Sequence, residues 1–82
     1  MTGIWVREQD SDVIGIYTKF LTYSVYNSNE VGICGVNLQG KEDPLGIFES
    51  EEVASLVMSL IENFINSSNT LVFTMPASNG YN

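Results

Sequence analysis

The sequence has no histidine, and its 82 residues hold three basic side chains, one cysteine and two prolines. Without histidine, Ser-His and Cys-His nucleophilic pairs and imidazole-metal sites are excluded together. Arg7, Lys19 and Lys41 stand against ten carboxylates, a formal net charge of −7. So few cations cannot neutralise a run of phosphates, so direct nucleic-acid binding is not expected, nor is adhesion to an anionic membrane surface. Cys34 has no partner for an internal disulfide, which fits a reducing cytoplasm. It lies in an apolar run with no basic neighbour and is expected to be a buried, inert thiol. No apolar run approaches the roughly 18 residues of a membrane span, and no basic-then-apolar leader is visible, so a cytoplasmic location is expected.

What is present reads as one small α+β domain over residues 1–82. A 44% apolar composition with nine aromatic side chains fits a packed core. A chain of this length buries only roughly 60–65% of the surface its unfolded form exposes, a thin margin that self-association would widen.

Residues 50–68 form the one convincing helix. Ser50 suits the N-cap, and Glu51 and Glu52 oppose the positive end of the helix dipole. At about 100° per residue the apolar side chains cover roughly 200° of the helix, centred near Val57. One buried face needs a stripe of only about 100° or slightly more. Val53, Val57, Leu60, Ile61 and Phe64 satisfy the core, and Ala54, Met58 and Ile65 are left over as a candidate oligomer interface.

The rest alternates between strands and turns. Residues 3–8 alternate Ile4 and Val6 against Trp5 and Arg7. Residues 13–26 are rich in β-branched and aromatic side chains but too long for one straight strand, so a bulge is expected near residues 19–21. Gly15 is expected to admit another segment at close range. Residues 31–38 and 45–48 are further strands, with residues 39–44 a loop. A last strand spans 70–75, with Leu71, Phe73 and Met75 on one face, and ends at Pro76, followed by a frayed tail. The order β-β-β-β-α-β implies an antiparallel β-meander of about four strands, one helix packed on the sheet, and a final strand.

Three segments, IWVREQD at 4–10, LGIFESEEVA at 45–54 and VFTMP at 72–76, together resemble a group of small proteins from phages and prophage-like regions of Firmicutes. They cover about a quarter of the chain, in order. The resemblance implies a viral or mobile-element accessory protein and no reaction.

Catalytic machinery is not expected. Glu51 and Glu52 suit the helix dipole better than acid–base work. Gly32 and Gly35 lie in a strand, where no phosphate loop forms. Asp10 and Asp12 could bind Ca²⁺ or Mg²⁺ weakly but lack the remaining ligands of a calcium loop, and a solvated turn is the simpler reading. No metal or cofactor is therefore assigned. Trp5 and Arg7 share one strand face, where an indole and a guanidinium can stack on a ring and hold an anion. The alternative places Trp5 in the core and pairs Arg7 with an acid.

Three functions compete. The first is a non-catalytic acidic inhibitor that occupies a basic surface on a host defence protein. The second is a homo-oligomer that traps a small nucleotide-like immune signal with Trp5, Arg7, Gln9, Tyr17 and Tyr26. The third is a phage structural or assembly component. A homo-oligomer is expected in any case.

Overall fold

The computed structural model describes residues 3–67 and 71–77. The elements are β1 (Ile4–Arg7), β2 (Ile14–Ser24), β3 (Val31–Asn37), β4 (Glu42–Phe48), α1 (Glu51–Asn66) and β5 (Phe73–Thr74). The α+β class and the order β-β-β-β-α-β are as expected. β1 to β4 form an antiparallel meander, but the sheet order is β4-β3-β2-β1-β5, and β5 runs parallel to β1. The sheet is therefore not a pure meander. The chain leaves β4 at one edge, crosses one face as α1, and returns at the opposite edge.

β2 is long because it serves two pairings. Its first part runs beside β1, with Ile4 opposite Tyr17 and Arg7 opposite Ile14. Its second part runs beside β3 after a register shift between Tyr17 and Lys19. The bulge thus starts slightly before the expected 19–21. An extra residue bends a strand and strengthens its twist, and here it places Tyr17 and Phe20 on the core side together, their ring centres 6.4 Å apart. A second irregularity lies in β4 between the partners of Ile33 and Cys34. β4 also begins at Glu42, inside the expected loop, and carries Pro44. An edge strand tolerates the missing N–H of proline, particularly at a bulge.

The core is one cluster: Val6 and Tyr17 from β1 and β2, Ile33 from β3, Leu45 and Phe48 from β4, Ala54, Val57 and Ile61 from α1, and Met75 after β5. Ser50 caps α1 as expected, its Oγ accepting from Val53 N–H at 3.2 Å. The helix ends at Asn66, where Ser67 N–H donates to Asn63 O at 3.0 Å and Ser67 Oγ donates to Phe64 O at 2.7 Å. The last strand is shorter than expected. Phe73 packs edge-on against Phe64, with ring centres 5.4 Å apart, while Leu71 is exposed rather than sharing the core with Phe73 and Met75. The expected helix stop at Ser68 and Asn69, the strand start at Thr70 and the tail from Ser78 lie outside the described residues. Among the described residues no helix is long and apolar enough to cross a membrane.

Candidate functional site

The five residues expected to hold a ligand separate into distinct environments. Trp5 and Arg7 do share the outer face of β1, as the alternation requires. Trp5 pairs with Ile16 across the strands and is 49% exposed, so it is not core. Arg7 lies opposite Ile14, and its guanidinium reaches Asp12 Oδ1 at 3.9 Å in the turn that follows. That carboxylate is fully exposed, so the pair is a weak surface contact.

Tyr17 is buried in the core and does not share the exposed face of Trp5 and Arg7. Its ring lies where Cβ atoms on Gly15 and Gly35 would stand, each within about 2.7 Å of a ring or hydroxyl atom. At Gly15 the close approach is made not by another segment, as expected, but by this ring from two residues along the same strand. Tyr17 Oη–H donates to Asp43 Oδ2 at 3.1 Å. Burial, with the Asp43 hydrogen bond and charge and then Glu8, pushes the phenol up to about 12.

Gln9 is structural as well. Its backbone N–H donates to Leu45 O at 2.8 Å. Its side-chain Nε2 donates to Ile47 O and to Pro76 O, each at 3.0 Å, and its Oε1 accepts from Ile47 N–H at 2.8 Å. β1 and β4 are separated by two strands in the sheet, so these bonds show that the sheet is rolled. One amide side chain pairs with the outer edge of β4 as a neighbouring strand would, and covers an edge that would otherwise invite another chain. No local pattern announces this, since the partners lie 38 and 67 residues away. Tyr26 is 89% exposed in the turn after β2, away from Trp5 and Arg7 along the strand.

The residues expected at an oligomer interface are placed differently too. Ala54 is 1% exposed inside the core cluster, and Met58 and Ile65 pack against it. The buried side of α1 centres near Ile61, about 40° round from Val57 at 100° per residue. The apolar residues left outside are Leu56 and Leu60, at 53% and 38% exposure. The rest of the exposed arc carries Glu52, Ser59 and Ser55, with Glu62 and Glu51 at its far border, all exposed. An open groove of about 620 Å³ is lined by Glu51, Glu52, Ser55 and Leu56. After Lys41 the sequence has no basic residue, so this face has no cation of its own to offset its acids.

Cys34 is buried on the sheet side away from α1, and burial, with Glu42 nearby, raises its thiol above the usual range. A raised pKa keeps it protonated and poorly nucleophilic. Among the described residues no group of three or more His, Cys, Asp or Glu is placed to hold a metal ion. No family model, no curated protein and no solved structure matches the chain.

Proposed function

We propose that the chain is a non-catalytic accessory binding protein, of phage or mobile-element type, that inhibits a host defence protein by covering a basic surface with the outward face of α1. One observation carries this reading. α1 turns Glu51, Glu52 and Glu62 outward on an exposed arc that Leu56 and Leu60 border on one side, in a half of the sequence without a single Lys or Arg. An acidic rim steers a basic partner and fixes its orientation, and the two leucines supply apolar area at the contact. The nucleotide-trapping alternative keeps Trp5 and Arg7, which are adjacent on an exposed face, but loses Tyr17 and Gln9 to structural roles. The acidic face of α1 is accordingly preferred.

Charge reversal tests the proposal. The wild-type chain is expected to capture a specific host protein at low salt, and Glu51→Lys combined with Glu52→Lys is expected to lose it while remaining folded, its thermal midpoint lowered by only several degrees because cations replace acids at the positive end of the helix dipole. A partner retained equally by the reversed variant would assign its binding to another surface.

A further inference from the structure

β2, β3 and β4 turn one side toward α1, and among the described residues nothing covers the other. Register arranges that outer side in three rows across the sheet. The first is Lys19, Val36 and Glu42. The second is Leu21, Cys34 and Pro44, and the third is Tyr23, Gly32 and Ile47. Tyr23 lays its ring over Gly32, where a Cβ would overlap it, so the third row is flattened by design of the sequence rather than hollow. Tyr23 and Ile47 are both exposed, and an open depression of about 330 Å³ lies among the second-row residues, Tyr23 and Glu42. The two charges of the face cancel, so on a molecule of net charge −7 this patch is neutral and apolar.

We propose that this face seats a second copy of the chain, in a dimer whose two-fold axis runs along β3. Such an axis lays β2 of one copy over β4 of the other at the same height. Lys19 then meets the partner's Glu42, and Glu42 meets the partner's Lys19. Leu21 meets the partner's Pro44, and Tyr23 meets the partner's Ile47. A two-fold axis across the strands would instead set Lys19 on the partner's Tyr23 and Glu42 on the partner's Ile47, leaving both charges against apolar groups at a cost in desolvation. The self-complementarity required of a two-fold interface is thus met by one axis and not by the other. A neutral face with one charge of each sign suits another copy better than a basic partner, which the acids of α1 already match. Packed sheets lie about 10 Å apart, beyond the roughly 7 Å limit between Cα atoms for a disulfide, so Cys34 on the axis leaves the dimer non-covalent.

Sedimentation equilibrium tests the arrangement. The wild-type chain is expected to form a dimer, and Lys19→Glu and Glu42→Lys alone are each expected to weaken it about tenfold or more, because each places like charges across the seam twice. An equimolar mixture of the two variants is expected to restore association, since the carboxylate introduced at position 19 then faces the amine introduced at position 42. No effect within one chain can produce that rescue. Both side chains are exposed, so the fold is kept. Ile47→Ser provides a second disruption without a change of charge. A monomeric wild-type chain, single variants that dimerise as tightly as wild type, or a mixture that stays monomeric would each overturn the proposal.

Discussion

A phenol and a carboxamide show how much one side chain can do in a domain this small. Tyr17 fills the space above Gly15 and Gly35 and keeps its proton against Asp43. Its folded pKa is raised from 10.0 to about 12. Below pH 10 both states hold the proton and the contribution is intact. As pH rises from 10.0 toward 12 the unfolded chain releases the proton while the folded chain keeps it, so stability falls, by roughly 2–3 kcal/mol in all. Tyr17→Phe is expected to cost about 1 kcal/mol at neutral pH through the lost hydrogen bond and to flatten this alkaline decline. Urea unfolding of both proteins across that range measures it, and parallel curves would refute the assignment. The β-branched and aromatic composition of residues 13–26 shows that β2 is a strand, but the bulge decides which residues share a face. Tyr17 therefore looked available to a ligand. Gln9 was still less legible, because its function is to close an edge by contacts far along the chain.

The helix illustrates the same limit at the level of an element. Its cap, first-turn acids and length were legible in Ser50, Glu51, Glu52 and the apolar run, because these are local requirements. Its rotation was not, because a stripe of about 200° permits several burial centres. The core selects Ala54, Val57 and Ile61, which leaves Leu56 and Leu60 outside. Val57→Ala is expected to cost about 1–3 kcal/mol, lowering the thermal midpoint by roughly 10 °C in a domain of this size. Leu56→Ala is expected to shift it by only a few degrees, since much of that side chain already meets water. Met58 packs on the core, so Met58→Glu acts on stability rather than on a partner. Equal midpoints for Val57→Ala and Leu56→Ala would place the buried face elsewhere. β5 shows the complementary case. Its strand character was legible in the apolar alternation, but its pairing beside β1 follows from where α1 delivers the chain.

For the whole molecule, the two proposed surfaces face opposite ways, and their electrostatics differ in range. In the proposed dimer the sheets meet and both α1 helices lie outermost. With layers about 10 Å apart, the two acidic helix faces stand roughly 30 Å from each other, beyond the screening length of about 10 Å in 0.1 M salt. Salt therefore removes most of the repulsion between two chains of charge −7, while the Lys19–Glu42 contacts across the seam, made at short range, are screened less. Dimerisation is expected to tighten as salt rises from low to physiological levels. Contact between α1 and a basic partner depends on attraction between unlike charges at exposed positions and is expected to weaken over the same interval. Sedimentation of the chain alone, beside its titration with a Lys- and Leu-containing amphipathic peptide, measures both responses. Opposite trends separate the neutral outer sheet from the acidic helix. If both associations weaken together, the dimer must also rest on charge rather than on the apolar rows of Leu21, Pro44, Tyr23 and Ile47.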